Sequence, residues 1–244
     1  MSFNLPTEQI ELPSKGLVYS EKNPLSSGKI EMKYMTAREE DILTNANYIA
    51  DGTVLDRLMK SLIVSEINYD ELIVGDKNAI MIAARILGYG KDYTFNYAGV
   101  EQTVDLTTLE NKEIDESTYK RGNNEFEFTL PQSENKVTFK LLTHKDEQDI
   151  NLELDALKKL NKGGSAELTT RLRFMITSVN EDTSKSTIND FVNNYLLAQD
   201  SRALREHISS IQPDVDLSFF PSGSKIKRNL PLGVKLFWPD SQLG

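Results

Sequence analysis

The sequence of 244 residues contains no cysteine and only two histidines, His144 and His207. Without thiols the chain forms no disulfide and offers zinc no thiolate, and two histidines alone cannot complete a zinc coordination shell. We therefore expect neither a metal site nor a cofactor. His144 falls in the first turn of a predicted helix, where we expect it to be exposed, and we expect His207 to be partly buried beside apolar neighbours.

The sequence also lacks an excess of positive charge and lacks long apolar runs. Its 37 acidic and 28 basic residues give a net charge of −9, which disfavours binding to nucleic-acid phosphates or to anionic lipid. Nowhere do roughly 18 apolar residues follow one another, and the first residues lack the basic and apolar parts of a signal peptide. We expect a chain that folds in the cytosol, has no membrane span, does not bind nucleic acid and has another protein as its partner.

Motifs of known catalytic sites are missing from the sequence. Acidic pairs such as Glu39-Glu40 lie on solvated helix surfaces far more often than they perform acid–base chemistry. Residues 88–91 lack the spacing of a phosphate-binding loop and follow a predicted helix instead of preceding one. We predict no catalytic residue and a protein that is not an enzyme. The alternative from another class is a hydrolase whose acidic residues come together only in the fold.

Two halves of the sequence resemble each other in three blocks that occur in the same order. Residues 29–40 align without a gap with residues 136–147, and both lysines, the threonine and the last glutamate are identical. Chance similarity between amphipathic segments explains one such block but not three in a constant order. The other two blocks align Arg57-Leu58 with Arg171-Leu172 and residues 76–106 with residues 200–230. We predict an internal duplication, with an N-terminal module at residues 1–115, a linker at residues 116–124 and a C-terminal module at residues 125–244.

Each predicted module consists of a strand, capped helices and a terminal hairpin, which makes the fold class α+β. Residues 30–34 and 137–141 alternate between apolar and polar side chains, the period of a half-buried strand. A threonine followed three residues later by an acid is typical of a capping box, and an aspartate before an apolar helical face is typical of an N-cap. Hairpins with a glycine turn are expected at residues 93–106 and 217–232. The predicted capping residues are Thr36, Glu39, Thr143, Asp146, Asp76 and Asp200.

Two short segments near the C-terminus are the candidates for binding a partner. Lys225, Lys227 and Arg228 form a small basic cluster in an acidic chain, which suits either an acidic partner or the solvent-exposed side of a hairpin. Phe237 and Trp238, the only tryptophan, suit either an interface hot spot or the last part of the core. Both alternatives stay open, with exposure to solvent favoured for the basic cluster and burial in the core favoured for the aromatic pair.

Several segments together carry a resemblance to a known family. They are Leu12-Pro13-Ser14-Lys15-Gly16, residues 35–43, Gly75-Asp76, residues 200–205, and residues 230–239 with their Phe237-Trp238-Pro239 ending. In this order and spacing they resemble the baseplate hub assembly proteins of T-even-type myophages, over almost the whole chain. The resemblance implies a protein made in the infected cell that is needed to assemble the central hub of the baseplate of a contractile tail.

The chain departs from this family at one feature. Many relatives carry cysteine pairs in the hairpin that ends each half, where they could bind zinc as a ribbon. Here residues 96–99 and 220–223 contain no cysteine, so each hairpin resembles a degenerate zinc ribbon without its metal. A small β-hairpin that has no metal to stabilise it needs another stabilising interaction. We expect aromatic packing to supply it, by Tyr93, Phe95, Tyr97, Phe219 and Phe220.

The expected function is therefore phage tail assembly by protein–protein binding, with other baseplate hub or tail proteins as partners. Both a homo-oligomer and a hetero-complex are open. The expected location is the host cytoplasm during assembly, and the tail baseplate of the virion if the chain stays bound. The alternative to a transient assembly chaperone is a permanent structural subunit of the mature baseplate.

Overall fold

The computed structural model describes residues 4–160 and 166–237. Helices and small antiparallel sheets alternate along the chain, which confirms the predicted α+β class. Among the described residues, no helix is both long and apolar enough to cross a membrane. The strands are β1 (Thr7–Glu11), β2 (Lys29–Lys33), β3 (Asp92–Tyr97), β4 (Val100–Asp105), β5 (Phe126–Thr129), β6 (Lys136–Phe139), β7 (Ile176–Val179), β8 (Ser218–Phe219) and β9 (Arg228–Asn229). The α-helices are α1 (Ala37–Leu43), α2 (Ala46–Ala50), α3 (Val54–Leu62), α4 (Val74–Tyr89), α5 (His144–Leu160), α6 (Glu167–Met175), α7 (Lys185–Asp190) and α8 (Ala198–Ile211).

The N-terminal half begins with the antiparallel pair of β1 and β2. Ile30 and Met32 of β2 are buried whereas Lys29 and Glu31 are exposed, as the alternating pattern predicts for a strand with one side in the core. After α3 the chain returns to this sheet, where Ile63 forms a bridge with Met32. Helices α1 and α3 pack against each other. The first part of this half therefore combines a small sheet with a pair of packed helices.

The C-terminal half contains corresponding elements in the same order. Strands β5 and β6 pair antiparallel, with Phe126 opposite Phe139, and Val137 and Phe139 are buried. Strand β7 directly follows α6 and pairs with the other side of β6, just as Ile63 follows α3 and bridges to β2. Helices α5 and α6 pack together as α1 and α3 do. This correspondence is the arrangement that an internal duplication predicts.

Each half also ends in a hairpin, and the two hairpins differ in length. The first joins the six-residue strands β3 and β4 through Ala98 and Gly99. Both turn residues have positive φ, 51° and 83°, as a tight two-residue hairpin turn requires. In the second hairpin, β8 and β9 have two residues each, so most of its length is a loop between the two strands.

The two halves share one hydrophobic core. The same cluster of buried side chains extends from Leu12 near β1 to Phe237 near the end of the described chain. Ile73, just before α4, forms a bridge with Thr143, just before α5. Gly75 lies so close to the second half that a Cβ atom there would sit 1.8 Å from the carbonyl oxygen of Pro213. Because each half completes the core of the other, we expect neither to fold alone.

The predicted linker at residues 116–124 is packed onto both halves and does not serve as a free tether. Tyr119 is buried, and its hydroxyl donates a hydrogen bond to the carbonyl oxygen of Ile211. The amide of Gly122 donates to the carbonyl oxygen of Leu17 at 2.7 Å. The polar composition of this segment indicated a connection between halves but not the backbone groups that hold it in place.

Candidate partner-binding surface

Helices α1 and α5 begin with the same carboxylate arrangement. Glu39 accepts hydrogen bonds from the amide and hydroxyl of Thr36 at 3.0 and 2.6 Å. Asp146 accepts the equivalent pair from Thr143 at 3.0 and 2.9 Å. Each carboxylate thus satisfies a backbone donor that the first helical turn leaves free. A lysine from the preceding strand or its end also bonds each carboxylate, Lys33 to Glu39 at 2.9 Å and Lys140 to Asp146 at 2.7 Å.

The environment of Glu39 keeps it ionised, which suits a capping role. Burial by itself raises the pKa of this carboxyl group, but hydrogen bonds from Thr36, Lys33 and Ser61 outweigh burial and lower the pKa to about 2. A carboxylate with this pKa does not serve as a proton donor near neutral pH. Its chemistry is structural, and it adds nothing to the case for an enzyme.

The prediction that Asp76 and Asp200 cap their helices is wrong. Helix α4 begins at Val74 with Ile73 as the N-cap, and α8 begins at Ala198 with Leu197 as the N-cap. Each aspartate is therefore the third helical residue, inside the first turn. Both side chains are fully buried and accept hydrogen bonds from a loop far away in the sequence.

Each of these aspartates holds the loop that follows the first strand of its half. Asp76 accepts hydrogen bonds from the amide and hydroxyl of Ser14, at 2.9 and 2.7 Å, and from the hydroxyl of Tyr19 at 2.6 Å. Asp200 accepts from the amides of Gln132 and Ser133 at 2.7 and 3.0 Å. Ser14 directly follows Leu12-Pro13, and Gln132 and Ser133 directly follow Leu130-Pro131. The repeated aspartates are thus repeated tertiary clamps.

Stability should depend on pH through Asp76. Burial, only partly offset by the hydrogen bonds from Tyr19 and Ser14, raises the pKa of this carboxyl group to about 6 from 3.8. Between pH 4 and 6 the folded chain therefore holds a proton that the unfolded chain releases, and stability is lost as the pH rises through 6. Relative to an Asp76→Asn variant, we expect the wild-type free energy of unfolding to fall by about 2 kcal/mol over this interval.

Denaturant unfolding of both proteins at each pH would measure this effect. The comparison with Asp76→Asn removes the contributions of other titrating groups, such as Glu39, because they are the same in both proteins. A free-energy difference that stays constant from pH 4 to 6 would show that Asp76 titrates normally.

His144 is buried between the two halves, so the prediction that it is exposed is wrong. The ammonium of Lys77 lies 3.0 Å from His144 Nδ1 and 2.8 Å from Asp56 Oδ1. His144 Nε2 lies 3.3 Å from Asp56 Oδ2, and the ring of Tyr69 packs edge-on against the imidazole. Burial opposes ionisation of Asp56, but the hydrogen bonds from His144 and Lys77 dominate and lower its pKa. This network joins α3 and α4 of the first half to α5 of the second.

His207 is half-buried, as the sequence predicts. Its ring stacks on Phe128 at a centroid distance of 4.6 Å, and burial lowers its pKa. The imidazole therefore contributes packing area to the sheet that contains β5.

The two hairpins pack against each other through aromatic side chains. Phe219 of β8 meets Phe95 and Tyr97 of β3 edge-on, at centroid distances of 5.2 and 5.7 Å, and Tyr93 stacks on Phe95 at 4.9 Å. Four of the five aromatics expected to hold the hairpins are thus in one cluster, which joins the hairpins to each other. The fifth, Phe220, is mostly exposed.

The predicted basic cluster lies in the loop of the second hairpin and at the start of β9, next in sequence to exposed apolar side chains. Phe220 and Ile226 are 58% and 60% exposed, and Val100 of the first hairpin is also exposed. We call these residues the hairpin surface: Val100, Phe220, Lys225, Ile226, Lys227 and Arg228. The amide and hydroxyl of Ser222 donate to Gln102 Oε1, which attaches the second hairpin to the strand that carries Val100.

The cations of the hairpin surface are largely free to meet a partner. All three are exposed. Lys227 Nζ lies 3.9 Å from Asp216 and 5.7 Å from the centre of the Phe220 ring. Among the described residues, Lys225 and Arg228 have no ion pair. Sequence reasoning found the cations from their spacing but missed Phe220 and Ile226 as surface residues, because an apolar residue in a hairpin is usually placed in the core.

Phe237 is completely buried. It packs in the core and does not serve as a surface anchor for a partner. Trp238 lies outside the described residues. The aromatic pair therefore adds no described side chain to the hairpin surface.

A groove of about 500 Å³ in the C-terminal half collects charged side chains. Its acids pair with bases: Asp146 with Lys140, Glu153 with Arg173, and Asp149 with Lys145. A hydrolase of the acid–base type needs two carboxylates working on one bond, whereas here each carboxylate contacts its own cation. Within the described ranges, no cluster of three or more histidine, aspartate or glutamate side chains is arranged to hold a metal ion.

Comparison of the chain with models of protein families, with characterised proteins and with solved structures finds no match.

Proposed function

We propose that this chain assembles the baseplate hub of a contractile phage tail by binding other hub or tail proteins, and that it catalyses no reaction. The observation that carries the proposal is the hairpin surface, where large apolar side chains and three cations project together from a chain with a net charge of −9. Apolar groups that remain exposed beside free charges are typical of surfaces that bind other proteins. The sequence resemblance to hub assembly proteins supports the phage tail as the setting.

The two kinds of side chain on the hairpin surface have separate roles in this proposal. Phe220 and Ile226 lose their water shell when a partner covers them, and this contributes affinity of roughly 1.5–3 kcal/mol for each side chain that becomes fully buried. Lys225, Lys227 and Arg228 attract an acidic partner over a longer range and orient it before contact. The partner is therefore a protein surface with acidic groups around an apolar centre.

Reversing the charge of the basic cluster should weaken partner binding without unfolding the chain. We expect Lys225→Glu/Lys227→Glu/Arg228→Glu to lower the affinity for the partner at least about tenfold and to reduce its dependence on salt. The partner is first identified by co-expressing the wild-type chain with the other baseplate proteins of its phage and finding what co-purifies. Titration calorimetry with that partner, at two salt concentrations, then measures the loss.

A second triple variant controls for the change in net charge. Lys22→Glu/Lys120→Glu/Arg121→Glu reverses three exposed cations outside the hairpin surface and should leave the affinity nearly unchanged. Equal losses in both variants would show that net charge, and not the hairpin surface, controls binding. If the wild-type chain co-purifies with none of the baseplate proteins, the proposed function itself fails.

The proposed location is the host cytoplasm during assembly, and a measurement on virions decides whether the chain also stays in the finished tail. An assembly protein acts in the host cytoplasm, and a permanent subunit is also found in the finished tail. Quantitative mass spectrometry of purified virions separates the two: a fixed stoichiometry indicates a structural subunit of the baseplate, and absence from virions indicates a transient chaperone.

A further inference from the structure

The solvent side of α5 carries an apolar stripe that the described residues leave uncovered. Leu152 and Leu160 are 68% and 79% exposed, and Ala156 between them is exposed as well. Residues four apart lie on the same side of a helix, one turn above another. Burial in α5 is confined to its first part, at His144, Asp146 and Ile150. The second part of the helix thus presents a continuous apolar strip to water.

We propose that this stripe is the contact of a homodimer, in which α5 of a second copy packs antiparallel on it. A two-fold axis at Ala156 places Leu152 of one copy against Leu160 of the other, and the reverse. The interface then has the self-complementary form of a symmetric dimer. Ala156, with its small side chain at the centre, allows the helices to approach closely.

The charges beside the stripe pair across an antiparallel interface but not across a parallel one. Asp155 and Lys159 lie four residues apart on the same flank of the stripe. In the antiparallel pair, Asp155 of each copy lies next to Lys159 of the other. A parallel pair would instead set the flank with Asp155 and Lys159 beside the opposite flank of the second helix, so these two residues would not meet across the interface.

The contacts that Asp155 makes within one copy are easily exchanged. Its carboxylate lies 3.3 Å from Lys158, and the two side chains are 65% and 74% exposed. Exposed pairs of this kind contribute little to stability, so Asp155 can turn to the second copy at small cost. The stripe spans only two helical turns and covers less area than a stable dimer interface usually buries. We therefore expect a weak dimer, with a dissociation constant on the order of 100 μM.

Charge-swapped variants test both the partner and the orientation. Asp155→Lys leaves two cations on the flank and Lys159→Asp leaves two anions, so each variant alone should dissociate at least about tenfold more readily than the wild type. An equimolar mixture of the two variants should associate about as well as the wild type, because each flank then meets its opposite. Sedimentation velocity of the full chain at low salt, over a wide concentration range, measures all four samples.

Two further variants separate the stripe from general effects. Leu152→Ser should lose association both alone and in the charge-swapped background, whereas Ile49→Ser, which removes an exposed apolar residue of α2, should not change it. A wild-type chain that stays monomeric at every concentration overturns the proposal. So does a dimer that is insensitive to Asp155→Lys, or a mixture that fails to associate. These measurements need only the purified chain, so their outcome is independent of the baseplate assignment.

Discussion

Replacing Phe219 with alanine is expected to lower the free energy of unfolding by about 4 kcal/mol. The Phe219 ring is buried and contacts Phe95 and Tyr97 of the other hairpin. Truncation removes these ring contacts between the hairpins and leaves a cavity that the surrounding strands can fill only in part. Because one core runs through both halves, the variant should still unfold in a single transition at lower denaturant concentration. Denaturant titrations followed by fluorescence and by far-UV circular dichroism would check both statements.

The neighbouring residue is a matched control for this substitution. Phe220→Ala removes the same ring one position further on, where it is mostly exposed, and should change stability by less than about 0.5 kcal/mol. A double-mutant cycle with Phe95→Ala should give a coupling of about 1 kcal/mol, as edge-on aromatic pairs do. Two separate unfolding transitions, with Phe219→Ala affecting one of them, would contradict a shared core.

Replacing Asp76 with alanine is expected to destabilise the chain by about 3 kcal/mol at neutral pH. The substitution removes the acceptor of the amide and hydroxyl of Ser14 and of the hydroxyl of Tyr19. These donors are buried, so water cannot replace the lost bonds without local opening. Part of the loss is offset because the variant no longer bears the desolvation cost of a buried carboxylate. Thermal and denaturant unfolding of the purified variant measure the net effect.

An exposed aspartate serves as the control for Asp76→Ala. Asp41 in α1 is exposed, and Asp41→Ala should change stability by less than about 0.5 kcal/mol. If Asp76→Ala behaved like Asp41→Ala, the loop after β1 would not depend on this clamp. The same substitution at Asp200 should also destabilise the chain, but less, because two donors lose their acceptor instead of three.

The features that sequence predicted well depend on neighbours within a few residues. Alternation placed β2 and β6, the threonine–acid spacing placed the starts of α1 and α5, and the turn residues placed the hairpin of β3 and β4. Alternation repeats every two residues, a capping box spans one helical turn, and a tight hairpin turn has two residues, so each signal is contained in a short segment. The corresponding order of elements in the two halves could be predicted because it is the order of these local signals.

The errors involve partners that are distant in the chain. Asp76 has the residue type of a cap and precedes an apolar helical face, but its hydrogen bonds reach Ser14, 62 residues away. The position of His144 in a first helical turn indicates exposure, but Lys77 and Asp56 from the other half lie beside it. No local periodicity contains such information, because a polar residue in a first turn has the same pattern whether another part of the chain covers it or not.

At the candidate surface, too, the sequence predicts local features but not which side chains are exposed. The spacing of Lys225, Lys227 and Arg228 identified it from sequence, but the pattern left open whether these cations face a partner or plain solvent. Only the fold shows that Phe220 and Ile226 are exposed beside them while Phe237 is buried.

Local spacing and composition predict the kinds of element, their order in each half and the lack of thiol chemistry. Tertiary structure alone decided that the halves share one core, that Asp76 and Asp200 clamp distant loops, and which apolar residues stay in water. The physical reason is that burial is a property of the assembled chain. A side chain becomes buried when segments far apart in sequence meet, and the free energy of that meeting is distributed over both segments.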